Sequence, residues 1–148
     1  MKYAMLGNLE RRELDTFHLI IAPTYDCNLA CKHCYNPTDG AHQNRTGQEL
    51  SGEQWQGVIG KWADFVGKEG KDGIAHFKGG EPFVFKGLDR LMDYSAERGL
   101  WVFTTSNGTL IGDEQARHLG SLYQRTKGKV ILSLNGSTPE IDERLRQE

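Results

Sequence analysis

An α/β fold built on a parallel sheet is what this sequence predicts, and three observations carry the prediction. Short apolar runs alternate with longer segments of helical spacing, in the order β-α-β-α-β-α-β-α. The segments between runs are long enough for the right-handed crossovers that parallel strands require. Each run also ends in an unusual polar segment, which puts polar groups at the C-terminal ends of the strands. Doubly wound sheets and barrels both bind their ligands there.

The elements follow in order. Phe17-His18-Leu19-Ile20-Ile21-Ala22 reads as a buried strand stopped by Pro23. Asn36 to Leu50, with Pro37, Gly40 and Gly47, reads as a long loop. Ser51 and Gln54 form a capping-box pattern, and Trp55, Val58, Ile59, Trp62, Phe65 and Val66 recur at helical spacing after it. Trp55 and Trp62 are most simply core residues.

Ile74 to Lys78 is the second predicted strand. Leu88, Leu91, Met92 and Tyr94 lie on the next helix, which Gly99 can end in a left-handed cap. Leu100 to Thr104 is the third strand, and Asp113 can cap a helix carrying Ala116, Leu119 and Leu122. Val130 to Leu134 is the fourth strand. Thr138 then caps a last helix with Pro139 at its first position.

Composition narrows the function classes. The chain has 148 residues, enough for a domain with a real core, and 37% of them are apolar. A mean hydropathy of -0.59 and a net charge of -2 give no case for nucleic acid or an anionic membrane as partner. No run is long enough for a transmembrane helix, and the N-terminus lacks the apolar core of a signal peptide. A cytoplasmic location is therefore expected.

The three cysteines, Cys27, Cys31 and Cys34, lie within one short window. An odd, tightly spaced set is a poor disulfide framework and points to metal or redox chemistry. Three thiolates on one loop can hold three corners of a cubane iron–sulfur cluster, which ordinarily takes four cysteines. With no fourth cysteine in the chain, one iron would stay open to an exogenous ligand. The alternative is a structural zinc site completed by His33 or His42, although a histidine adjacent to a ligating cysteine is awkwardly placed. Four polar segments would meet at one edge: the cysteine loop, Gly79-Gly80-Glu81-Pro82, Ser106-Asn107-Gly108 and Ser133-Leu134-Asn135-Gly136.

The segment CNLACKHCY resembles the CxxxCxxC motif of the radical S-adenosylmethionine (SAM) superfamily. GGEP, TTSNGTL and LSLNGSTPEIDERLR follow in that family's order. The subgroup it most resembles contains anaerobic sulfatase maturases and peptide-modifying enzymes with a C-terminal cysteine-rich (SPASM) domain. The resemblance implies a partial (β/α) barrel and a 4Fe–4S cluster on Cys27, Cys31 and Cys34 that chelates SAM. Reduction of that cluster would cleave SAM to methionine and a 5′-deoxyadenosyl radical, which abstracts hydrogen from the substrate.

Carried over by residue, Gly79, Gly80 and Glu81 match the motif that meets the SAM amino group. Glycines allow close backbone approach and Glu81 offers a carboxylate, although a Gly-Gly turn with a solvated glutamate has the same sequence. His33 precedes the third cysteine, where the family is often aromatic and near SAM. Tyr35 follows it, where the family's backbone meets adenine. Ser133 matches a serine near the ribose and methionine portion. Asn135 stands where the subgroup usually has aspartate. Arg146 aligns with an arginine that pairs with the SAM carboxylate, while Asp142 and Glu143 replace a usual His-Asp pair.

For Ser106 and Asn107 a cofactor contact and a plain turn both stay open, since Asn-Gly is a common turn pair. His18, His42, His76 and His118 read as strand, loop or surface residues rather than ligands. The resemblance also implies a reducing partner such as flavodoxin or ferredoxin and a peptide or protein substrate. Residues 1–148 match only the first four strands of the family's barrel, with the cluster loop at 23–50. The second half-barrel and the SPASM domain are then missing, as in a fragment or a half that associates with another chain. A non-catalytic or partner-dependent cluster- or SAM-binding module is the second reading, and a zinc-binding interaction domain the third.

Overall fold

The computed structural model describes residues 16–35 and 49–146. Four strands, β1 (Thr16–Ile21), β2 (Asp72–Phe77), β3 (Trp101–Ser106) and β4 (Gly128–Leu132), form one sheet in the order β1-β2-β3-β4. Every pair is parallel. The crossovers are α1 (Gly52–Lys68), α2 (Leu88–Glu97) and α3 (Asp113–Arg125), and α4 (Pro139–Arg146) follows β4. This is the alternating α/β fold that the sequence pattern predicts. No described helix is long and apolar enough to cross a membrane.

Local chemistry sets the helix ends. Ser51 and Gln54 cap α1 reciprocally: the Gln54 N–H donates to Ser51 Oγ at 3.2 Å and the Ser51 N–H to Gln54 Oε1 at 2.8 Å. At the end of α2, Gly99 takes φ of 78°, and the Leu100 and Gly99 N–H groups donate to the Ser95 and Ala96 carbonyls. This is a Schellman stop, and it turns the chain straight into β3.

The strand ends differ from expectation by one or two residues. β3 runs on to Ser106, because pairing with β4 through Ser106↔Leu132 favours extended chain beyond Thr104. Gly112, not Asp113, is the N-cap of α3, and Asp113 falls in its first turn. Residues 36–48, with His42, lie outside the described residues.

Alternation along each strand puts one face of the sheet against α1, α2 and α3. Ile21, Ala75, Phe77 and Val102 pack there on Ile59, Leu91, Met92 and Leu122, all with essentially no exposed surface. Trp55 and Trp62 pack on this core while only partly buried. The predicted apolar stripe of α1 is wider than the face it buries, since Val58 and Phe65 stay exposed. Phe65 stacks with Phe17 and Trp62 in an aromatic group at the rim, with centroids 5.6 Å apart in each pair. Ala116 is exposed as well. His118 has partners that its sequence position did not suggest: Asp89 at 3.4 Å and Asp93 at 3.1 Å, across the α2–α3 interface.

Candidate functional site

The four polar segments meet at the C-terminal edge of the sheet, around a cavity of about 300 Å³. The cysteine loop after β1 contributes Cys27, Cys31, His33, Cys34 and Tyr35 to its wall. Gly79, Gly80 and Glu81 come from the end of β2, Ser106 and Asn107 from β3, and Ser133, Asn135 and Arg146 from β4 and α4. Every site residue proposed from the sequence therefore borders one cavity. Sequence reasoning did not place Leu29, His76, Lys78 or Thr105 there. His76 and Thr105 could have been found from strand parity, as near-terminal residues on the side away from the core.

The two glycines hold the cysteine loop in place. The Gly80 N–H donates to the Thr24 carbonyl at 3.1 Å, and the Glu81 N–H to the Asp26 carbonyl at 2.9 Å. A Cβ on Gly79 would lie 2.7 Å from the Thr24 oxygen, at a φ of 137° that side chains rarely adopt. A Cβ on Gly80 would overlap the Asp26 carbonyl and lie 2.6 Å from that of Tyr25. Glu49, at the far end of the intervening loop, accepts the Thr24 hydroxyl at 2.6 Å.

Glu81 is buried, with 1% of its surface exposed, and its carboxylate is engaged within the protein. Oε1 accepts the Ser106 hydroxyl at 2.9 Å and the Phe83 N–H at 3.2 Å, while Oε2 accepts the Asn107 N–H at 2.8 Å. The side chain thus locks the end of β3 to the end of β2, and it is not the solvated glutamate of a plain Gly-Gly turn. Glu81→Gln would set an amide N–H₂ against a donor. A loss of about 1–3 kcal/mol is expected, read as a lower urea midpoint with unchanged slope; an unchanged midpoint would refute the locking role.

Ser106 and Asn107 shape the loop, and Asn107 also reaches one of the cysteines. Asn107 Nδ2 donates to Asn28 Oδ1 at 2.9 Å and lies 3.9 Å from Cys27 Sγ, while its Oδ1 accepts the Thr109 N–H and hydroxyl. The Leu29 N–H also points at Cys27 Sγ, at 3.5 Å.

Arg146 braces the other wall. It donates to the Asn107 carbonyl at 3.0 Å and to the Ser133 carbonyl, and pairs with Asp142 at 2.8 Å. Asp142 in turn accepts the Asn135 N–H at 2.7 Å, and the Ser133 N–H donates to Ser106 O at 2.9 Å. Asp142 is thus the acceptor that orders Asn135 and Arg146 together. His33 and Tyr35 stand exposed at the rim, Tyr35 with 78% of its surface free.

The donor set suits an electron-poor metal group. Burial pushes the Cys31 thiol up, Cys27 and Cys34 add to this, and the Arg146 guanidinium opposes them. A thiol whose ionisation is hindered in this way is one whose charge iron would neutralise. Among the described residues, no group of three His, Cys, Asp or Glu side chains is placed to hold a metal ion.

Comparison with known proteins agrees with this geometry. Residues 21–148 match the Radical SAM superfamily model. The PqqA peptide cyclase of Rhizobium meliloti is 30% identical over 136 residues, covering 90% of this chain and 33% of that protein. The Fe-coproporphyrin III synthase of Methanosarcina barkeri is 37% identical over 97 residues, covering 65% of this chain and 22% of that one. This chain is therefore about a third of the length of those relatives, or less. Among solved structures, Streptococcus suis SuiB bound to S-adenosylmethionine superposes with a TM-score of 0.69 at 19% identity, over 97% of this chain and 33% of that one. With its three cysteines and its matched strand-end segments around one cavity, the chain belongs to the radical SAM superfamily.

Proposed function

We propose that this chain binds a 4Fe–4S cluster through Cys27, Cys31 and Cys34, holds SAM in the adjoining cavity, and forms part of an enzyme that modifies a peptide or protein. The observation that carries the reading is the convergence of the three thiols and three further strand ends on a single cavity of about 300 Å³. When bound, the reduced cluster supplies the electron that splits the SAM sulfonium and yields a 5′-deoxyadenosyl radical.

The chain's own residues bind and orient. Cys27, Cys31 and Cys34 would hold the cluster, and an iron without a cysteine ligand would be available to SAM. Asn107 Nδ2 and the Leu29 N–H point at Cys27 Sγ and fix its direction, and Arg146 offsets charge on Cys31. Leu29, with 5% of its surface exposed, keeps water from the wall beside the cluster. Ser133, Asn135 and the Gly79-Gly80 segment line the same cavity and would offer polar groups to SAM. The match to a peptide cyclase spans more of this chain than the match to the porphyrin enzyme, which favours a peptide substrate. A small reducing protein such as flavodoxin or ferredoxin would serve as electron donor.

A second reading, a half that acts only with further strands or a partner, is favoured by the β4 edge. Leu132 and Leu134 are exposed there, at 54% and 77%. Anaerobic reconstitution with iron and sulfide, followed by an assay for 5′-deoxyadenosine with dithionite, tests the proposal. Cluster absorbance with product supports the first reading. A cluster that never cleaves SAM leaves the second for this chain, and zinc binding with no cluster refutes both.

A further inference from the structure

The sheet face turned away from the helices carries a cationic group that the SAM cavity only partly uses. Ile20, His76, Phe103 and Lys129 are Cα partners in one row across all four strands. Phe103 is the centre of that row. The Lys129 ammonium lies 4.8 Å over its ring, and His76 and His18 meet it edge-on with centroids 6.0 and 6.4 Å away. His76 Nε2 is also fixed at 2.8 Å from Thr105 Oγ1. Lys78 continues the same side of β2 and opens on the cavity beside His76.

Among the described residues, no ion pair with a carboxylate balances these groups. Among the described strands, the acidic residue on this side is Asp72, at the opposite end of β2. No ion pair engages Lys78 or Lys129 among the described residues. Burial, and then the charges of Lys78, His18 and Lys129, hold His76 below the ordinary histidine range. Cations that repel one another on a half-open surface are arranged for an anion from outside. Two lysines beside a histidine that burial and their charges keep largely neutral at pH 7 offer a site for an anion, and the anionic side chains that a peptide itself carries are the carboxylates of aspartate and glutamate.

We propose that His76, Lys78 and Lys129 bind the side-chain carboxylate of an aspartate or glutamate in the peptide on which the radical SAM site acts. The assignment rests on the peptide-modifying reading above and adds the chemistry of the residue recognised. Lys129 lies outside the wall of the SAM cavity, so it separates substrate recognition from cofactor binding. Lys78 and His76 then extend the same surface into that cavity, which would bring the acidic residue or its neighbour towards the cofactor.

The test uses two acetylated tetrapeptide amides, Gly-Glu-Phe-Gly and Gly-Gln-Phe-Gly, titrated calorimetrically into the reconstituted chain with SAM present. The glutamate probe should bind about tenfold more tightly than the glutamine probe at low salt, and the ratio should shrink as salt screens the charges. Lys129→Met should reduce the ratio to about twofold while leaving SAM affinity unchanged. Equal affinity for the two probes, no binding of either, or a preference that survives both Lys129→Met and His76→Gln would overturn the proposal. So would loss of SAM binding in Lys129→Met. The 5′-deoxyadenosine assay is scored separately, so failed SAM cleavage with an intact charge preference condemns the radical reading and not the anion site.

Discussion

Gly80→Ala is expected to abolish iron binding and to destabilise the chain. The methyl group has no free volume to enter, since it would overlap the Asp26 carbonyl and crowd that of Tyr25. Both obstacles are backbone, so no rotamer change relieves them. The cysteine loop must move, breaking the Gly80-to-Thr24 and Glu81-to-Asp26 hydrogen bonds. Overpacking of this kind costs about 1–3 kcal/mol, and two lost backbone bonds add about 1 kcal/mol each. Iron per chain after anaerobic reconstitution and the urea midpoint are the measurements. Normal iron content together with an unshifted midpoint would show that the loop is not seated on the glycine pair. Gly57→Ala is the control, because nothing lies within 4 Å of a Cβ there.

Cys31→Ala should lower iron content sharply with little change in fold. The side chain is only partly buried and belongs to no core cluster, so its loss leaves packing intact. Circular dichroism should overlay the parent spectrum while the cluster absorbance disappears. Unchanged iron loading would refute the ligand assignment. The parent protein should also show a pH dependence. The Cys31 thiol is raised above its usual range by burial and by its two cysteine neighbours. Its thiolate fraction therefore climbs as pH rises towards that raised value, and cluster assembly should be faster at pH 9 than at pH 7.

Much of the fold was legible because the governing signals are local. The capping box at Ser51, the glycine stop at Gly99 and four apolar runs are short-range facts that tertiary context did not override. The strand limits were less legible, since pairing decides where a strand stops: Ser106 is extended because Leu132 lies beside it. The exposure of Val58 and Phe65 escaped notice for a similar reason. Helical spacing gives the angular width of an apolar stripe but not the width of the surface that covers it.

In the site, the residue types were readable and their directions were not. Cys27, Cys31 and Cys34 point to metal or redox chemistry by spacing alone. Glu81 resembles a ligand in sequence, and its bonds to Ser106, Asn107 and Phe83 appear only once β3 lies beside β2. His76 looked like an ordinary strand histidine. Its place beside the cavity depends on which side of the sheet the helices cover, which only the assembled crossovers settle.

The bond from the Lys32 N–H to the Leu145 carbonyl, 3.0 Å long, ties the cysteine loop to the last described helix. Its two partners are separated by most of the described chain, and Arg146, beside Leu145, is the residue that offsets charge at Cys31. On the ribosome the cysteines emerge long before α4 does. Closing so distant a contact carries an entropic cost that is met only when the intervening sheet has formed. Metal loading should therefore follow synthesis instead of accompanying it, and a nascent chain stalled before residue 139 should expose three open, oxidisable thiols to the cell.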